Sequence, residues 1–204
     1  MDYQNYYWKN VHEMKFLNKV NSNKMPWDIG KSDPNLDWVL KYFNLKQGYA
    51  LDLGCGVGND SNYLQQLGFE VDGIDLNPKF IETAKNQNSK INFICGDVFQ
   101  DIPHKKYDLI YDRGFLHNME YNLYPQIFHL LSSKLSNNGK LIIITGHPFP
   151  KFTQYARPPK TPVHEIISNS KDLIYPNLIK EVKFLQNGEY DDNLGMMYVF
   201  SLIL

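Results

Sequence analysis

Apolar and polar positions change period repeatedly along this chain, and the changes mark its elements. Leu36, Val39, Leu40 and Phe43 recur at helical spacing, which predicts a helix over residues 36–43. Short apolar runs follow at 49–53, 70–75, 91–95, 107–111 and 140–145, each bounded by turn residues, and they read as strands. Amphipathic stretches separate them. One covers about 60–67 and is closed by Gly68. A second opens at Asn77-Pro78, where proline's missing N–H costs nothing at an early helical position. A third spans about 124–135 and is closed by Asn137-Asn138-Gly139.

Apolar strands separated by helices predict a parallel sheet covered on both faces. The last third reads differently. Residues 147–162 hold five prolines and several aromatics without a clear period, and are expected to form an ordered loop over a substrate site. A short helix is expected near 162–165. Two further strands, at 181–186 and 196–204, are joined by a polar turn and are expected to close the sheet as an antiparallel hairpin. The expected fold is α/β, a Rossmann-like and mostly parallel seven-stranded sheet with helices on both faces, in one domain over residues 1–204.

A chain of 204 residues, 43% hydrophobic, suits one domain with a sizeable core. Its net charge of −1 gives no reason to expect a nucleic acid or membrane partner. The longest strongly apolar run, residues 141–144, is far short of the ~20 residues that a transmembrane helix needs. The opening Met1-Asp2-Tyr3-Gln4-Asn5 lacks a cationic start leading into an apolar stretch, so no signal peptide is expected. Cys55 and Cys95 fall at strand ends and read as buried reduced thiols, which suits a cytoplasmic protein. A monomer is expected.

The chemistry concentrates where the first strand ends. Ala50-Leu51-Asp52-Leu53 runs into Gly54-Cys55-Gly56-Val57-Gly58-Asn59, a loop with glycine at every second position before a polar helix start. Such a loop lets the backbone turn sharply and approach a ligand closely. Asp75, seventeen residues after Gly58, ends the second strand, where a carboxylate accepts both hydroxyls of a ribose. The loop departs from the dinucleotide fingerprint: Asn59 stands where the third small residue belongs, and Asp52 would sit poorly beside a pyrophosphate. Asp97 follows the third strand and Asp112 the fourth. Four acids at the carboxyl edge of one sheet offer partners for an amine, a ribose and an adenine amino group, and so point to a nucleoside ligand. No Cys/His metal spacing, Ser-His-Asp motif or Walker loop appears, and no metal is expected.

Over residues 45–146 these motifs resemble the class I methyltransferases, which bind S-adenosylmethionine. The resemblance implies that Gly54, Cys55, Gly56 and Gly58 wrap the methionine moiety with Asp52 and Leu53. It implies that Asp75 and Leu76 hold the ribose, that Asp97 and Val98 flank the adenine, and that Asp112 and Arg113 lie near the reactive methyl group. Met25-Pro26-Trp27-Asp28-Ile29-Gly30, followed by Pro34, is similar to the N-terminal segment of thiol, halide and thiopurine methyltransferases. In those enzymes the segment folds over the cofactor, which would place Trp27 on it and make residues 1–35 a cofactor-covering segment. Asp112-Arg113-Gly114 and Arg157-Pro158-Pro159 resemble the thiopurine enzymes as well. That branch carries an arginine twelve residues after the acid of its Asp-Arg-Gly motif, and here the position is Tyr124.

The acceptor side has Trp8, His117, Phe149, Tyr155 and Arg157 as candidates, with His117 the candidate base. Methyl transfer from a sulfonium needs nucleophile, methyl and leaving sulfur held in line and water excluded. A dedicated base matters less for a thiol, whose pKa near ~8.5 leaves it partly ionised at neutral pH. The expected activity is methyl transfer from S-adenosylmethionine to a small-molecule acceptor, a thiol or other soft nucleophile first. Oxygen or nitrogen methylation, and a non-catalytic cofactor-binding role, are the alternatives.

Overall fold

A computed structural model describes residues 25, 27–146, 162–184 and 194–203. Its elements in chain order are α1 (Pro34–Tyr42), β1 (Gly48–Leu53), α2 (Asn59–Gln66), β2 (Phe69–Asp75), α3 (Pro78–Gln87), β3 (Asn92–Cys95) and α4 (Val98–Asp101). There follow β4 (Tyr107–Arg113), α5 (Tyr124–Lys134), β5 (Leu135–Gly146), α6 (Val163–Ser170), β6 (Ile174–Lys183) and β7 (Leu194–Leu202). The strands form one seven-stranded sheet in the order β3-β2-β1-β4-β5-β7-β6. The first five run parallel, and β7 pairs antiparallel with both β5 and β6. The expected α/β class, seven strands and closing hairpin are all present.

Alternation along each strand splits the core into two layers. Leu51, Leu53, Ile110, Leu141, Ile143, Tyr198 and Phe200 face α5 and α6, where Ile127, Phe128, Leu131 and Ile166 meet them. Ala50, Leu109, Tyr111, Ile142, Ile144, Met197 and Val199 face the other way, onto Leu36, Val39 and Leu40 of α1, Leu64 of α2, and Ile81 and Ala84 of α3. Successive strand residues point to opposite faces, so strands apolar throughout feed both layers at once. The helices begin where local capping says they should. Asp33 accepts the Asn35 amide before Pro34, and Asn77 accepts the Lys79 amide before Pro78.

Three local expectations are corrected. Gly139 does not cap α5, because β5 begins directly at Leu135, which pairs with Tyr107 across a register shift. A Cβ on Gly139 would stand 2.7 Å from the Tyr107 carbonyl, so the glycine permits a close approach of strands rather than ending a helix. β6 begins at Ile174, earlier than the pattern predicts. As the sheet's outer strand it exposes most of its side chains and carries no burial alternation to read. The cysteines are free but not both buried: Cys95 is exposed, and Cys55 is intermediate.

Among the described residues no helix is long and apolar enough to cross a membrane.

Candidate functional site

The chain turns sharply where β1 ends. Gly58 precedes α2 at φ +87°, and a Cβ there would stand 2.8 Å from the Phe93 ring and 3.1 Å from the Ala84 methyl. A side chain at this position would meet both left-handed backbone strain and the packing of α3 and β3. Gly56, at φ +54°, is buried as well. The Trp27 ring lies over it, 2.9 Å from the place a Cβ would occupy. The segment before α1 crosses the glycine loop, with the Trp27 ring edge-on to Phe80 at 5.2 Å.

That segment is tied down at several points. Asp28 accepts from the Asn59 side chain at 2.7 Å and from the Gly30 amide at 3.0 Å. The Asp33 amide donates to the Asp60 carboxylate at 2.7 Å. Arg113, the last residue of β4, donates through Nε to the Asp33 carboxylate and through Nη1 to the Trp27 carbonyl at 3.3 Å, and its guanidinium lies 4.9 Å from the Phe184 ring centre.

Between the segment and the loop runs a small cleft. It brings together five of the expected residues, Trp27, Asp52, Gly54, Cys55 and Arg113, and adds Ile29, Lys31, Val57, Asn59 and Asp60. The additions carry weak sequence signals. Asp60 in a first helical turn reads as a partner of the helix dipole, and only the crossing of residues 27–33 makes it part of a cleft.

The four strand-end acids divide by what their oxygens do. Asp52 is buried and accepts from the Ser61 hydroxyl at 2.5 Å. Asp75 accepts the Gly56 amide at 3.0 Å and the Asn77 amide at 2.8 Å, and so ties the glycine loop to the end of β2. Asp97 caps the four-residue α4 through the Phe99 amide. Asp112 accepts from the amides of Phe115 and Leu116 at 2.7 and 2.9 Å, which folds the loop after β4 back on itself. Val98 is buried and Leu76 is 40% exposed. Asp75, Leu76, Asp97, Val98 and Asp112 are not among the residues lining the cleft, and Leu53 is buried beneath it in the core.

Burial sets the charge state of this edge. Desolvation, reinforced by Asp60, Asp112 and Asp75, pushes the Asp52 carboxyl well above its usual range. Desolvation raises Asp60 to about 6, against the pull of Arg113. It raises Asp75 to about 6 and Asp112 to about 7, in each case against the amides they accept. The Cys55 thiol is pushed up too, by burial and then by Asp52 and Asp75.

His117 sits in a single 3₁₀ turn, Leu116–Asn118, just past β4. Its Nδ1 accepts the Gly146 amide at 3.2 Å, and its ring lies 5.8 Å from that of Phe184. Burial, helped by Arg113, lowers its pKa to about 3, so the ring is neutral. His117 does not line the cleft. Tyr124 is fully buried and donates to the Leu116 carbonyl at 3.1 Å, which makes it part of the packing under the strand-four loop. Trp8, Phe149, Tyr155 and Arg157 lie outside the described residues, as does all of the expected substrate lid, 147–162, except Pro162. Among the described residues no three His, Cys, Asp or Glu side chains are grouped to hold a metal ion.

The lining suits a ligand with cationic groups. Asp52 and Asp60 put two acids in a lining that also holds Lys31 and Arg113, with Asp60 in the field of Arg113, and the Trp27 face attracts positive charge. S-adenosylmethionine, with an ammonium and a sulfonium, fits that donor set.

Residues 50–139, from β1 to the start of β5, match the family described as a methyltransferase domain. The probable thiol methyltransferase 2 of Arabidopsis thaliana is 29% identical over 125 residues, 58% of this chain and 55% of that protein. The malonyl-[acyl-carrier protein] O-methyltransferase 1 of Ilyobacter polytropus is 32% identical over 112 residues, 52% of this chain and 41% of that protein. The chain spans about half the length of the curated relatives it matches. A TehB-like SAM-dependent methyltransferase from Corynebacterium glutamicum shares the fold with a TM-score of 0.69 at 17% identity, covering 95% of this chain and 99% of that one. Sheet order, glycine loop and family match point the same way: over residues 50–139 the chain is similar to a methyltransferase domain.

Proposed function

We propose that this chain transfers the methyl group of S-adenosylmethionine to a small-molecule acceptor, with thiols and thiolates as the first acceptor class. The observation that carries the reading is the cleft itself: a glycine loop roofed by Trp27, with the carboxylates of Asp52 and Asp60 in its lining. When bound, the sulfonium supplies an activated methyl group and a neutral thioether as leaving group. The chain's own residues hold, orient and shield. Asp52 and Asp60 supply negative charge, and Asp75 fixes the loop while offering its carboxylate at the end of β2. Trp27 and the segment behind it cover the cleft and exclude water.

Among the described residues no histidine lines the cleft. The Arabidopsis relative named as a probable thiol methyltransferase favours a nucleophile that arrives ionised or soft. The malonyl-[acyl-carrier protein] O-methyltransferase supports a second reading, an oxygen acceptor. Screening thiols, halides, amines, phenols and carboxylates for S-adenosylhomocysteine release separates the two. A thiol acceptor makes kcat/KM rise with pH toward the thiol pKa, and acceptors of lower pKa reach their plateau earlier. His117→Ala then costs less than about tenfold, since general-base help typically contributes roughly 10²–10⁴. Strong activity on amines, phenols or carboxylates with none on any thiol overturns the thiol assignment. A loss above a hundredfold in a folded His117→Ala variant that still binds both ligands makes His117 the base.

The cofactor assignment has its own test. Charge-assisted hydrogen bonds to ribose hydroxyls are each worth roughly 1.5–3 kcal/mol. Asp75→Ala is therefore expected to weaken S-adenosylmethionine binding at least about tenfold, measured by calorimetry on a variant whose circular dichroism is unchanged. Unaltered affinity removes Asp75 from the site.

A further inference from the structure

We infer that Arg113 is a positioning residue for the cofactor cleft: its guanidinium holds residues 27–33 across the glycine loop, and so sets the Trp27 ring over Gly56. This role rests on the reading of the cleft as the S-adenosylmethionine site. Nε is bonded to the Asp33 carboxylate and Nη1 to the Trp27 carbonyl, so one planar group grips both ends of the covering segment. Trp27 is the residue whose ring closes on the loop. The Arg113 and Asp33 side chains are only 9% and 0% exposed, and the Phe184 ring lies 4.9 Å from the guanidinium, confining it. The anchor is well placed. In the parallel register Asp112 lies beside Leu53, so Arg113 leaves β4 next to the start of the glycine loop.

The geometry is specific to arginine. A guanidinium presents several donors in a fixed fork, whereas a lysine ammonium is a point charge on a flexible stem. Lysine at this position would keep the charge opposite Asp33 but lose the simultaneous hold on the Trp27 carbonyl. The covering segment would remain attached at Asn59 and Asp60 through Asp28 and the Asp33 amide. The expected defect is a badly set tryptophan, not a lost segment.

The test uses the full chain. The Kd of S-adenosylhomocysteine is measured by calorimetry for wild type, Arg113→Lys and Asp33→Asn, each with and without Trp27→Ala, and thermal unfolding checks the fold. Arg113→Lys is expected to weaken binding about tenfold or more when Trp27 is present and less than about twofold when it is alanine, because the guanidinium acts through that ring. Asp33→Asn, which keeps the cap on α1, shows the same pattern at smaller size and carries the comparison if Arg113→Lys does not fold. With Trp8→Phe and Trp38→Phe in the background, Trp27 is the remaining tryptophan, and Arg113→Lys is expected to raise the quenching of its selectively excited fluorescence by acrylamide in the ligand-bound protein. Unchanged affinity in both variants, or losses that add in full to that of Trp27→Ala, overturns the role while leaving the cofactor assignment standing. A folded wild type that binds neither S-adenosylmethionine nor S-adenosylhomocysteine overturns both.

Discussion

Asp33→Ala is expected to lower stability by about 3–5 kcal/mol, the usual cost of breaking a buried ion pair from one side. The Asp33 side chain is fully buried and its carboxylate takes Arg113 Nε. Alanine would remove the carboxylate that the buried guanidinium's Nε donates to. Asp60, which also attracts Arg113, offsets part of this and favours the lower end of the range. The same carboxylate accepts the Asn35 amide at 2.7 Å, so the cap of α1 is lost as well, worth roughly 1 kcal/mol. At about 2–4 °C per kcal/mol for a domain of this size, the melting temperature should fall by about 6–20 °C. Asp33→Asn retains the cap and should fall between alanine and wild type. Scanning calorimetry checks the series. A drop of only a degree or two in Asp33→Ala would mean that Arg113 finds water once its partner is gone.

Moving the cofactor-free protein from pH about 5 to about 7.5 is expected to destabilise it. Asp60 and Asp75 are raised to about 6, Asp112 to about 7, and Asp52 well above its usual range, all first by burial. A carboxyl whose folded pKa exceeds its unfolded value binds more protons folded than unfolded between the two. Its stabilisation is complete below the unfolded pKa and is lost as pH rises through the folded one. His117 works the other way. Its pKa is lowered to about 3, so its contribution grows with pH until the unfolded imidazole loses its proton near ~6.5. Each tenfold change in proton affinity is worth roughly 1.4 kcal/mol, and four carboxyls outweigh one histidine in this window.

A cationic ligand favours the ionised acids. S-adenosylmethionine should therefore bind more tightly at pH 7.5 than at pH 5, and raise the melting temperature more at the higher pH. Calorimetric scans at both pH values, with and without the ligand, measure both effects. A cofactor-free melting temperature that climbs steadily from pH 5 to 7.5 would show that these acids are hydrated and titrate normally.

The sequence by itself determined the sheet, the loop and the acids at its edge. Alternating strand and helix periods, a glycine at every second position after β1, and aspartates at strand ends are local properties of the chain. Hydrophobic pattern and turn chemistry report them without any long-range contact. The Trp27 segment was legible for a different reason, as a motif resemblance, and the structure lays its ring on Gly56. Where local rules had two outcomes, the local reading erred. Gly139 looks like a helix cap but serves a close strand approach, and the exposed β6 has no burial pattern to announce its start at Ile174.

What the tertiary structure alone decided is which groups meet. Asp75, Asp97 and Asp112 share the sheet edge with Asp52, yet they accept nearby backbone amides while Asp52 takes the Ser61 hydroxyl, a choice set by the loop conformations that follow them. Asp60 became a wall of the cleft because residues 27–33 cross over α2. Arg113 and Asp33 stand eighty residues apart in the chain. They meet because the strand order places β4 beside β1, and because a charged group buried away from water takes an opposite charge within reach.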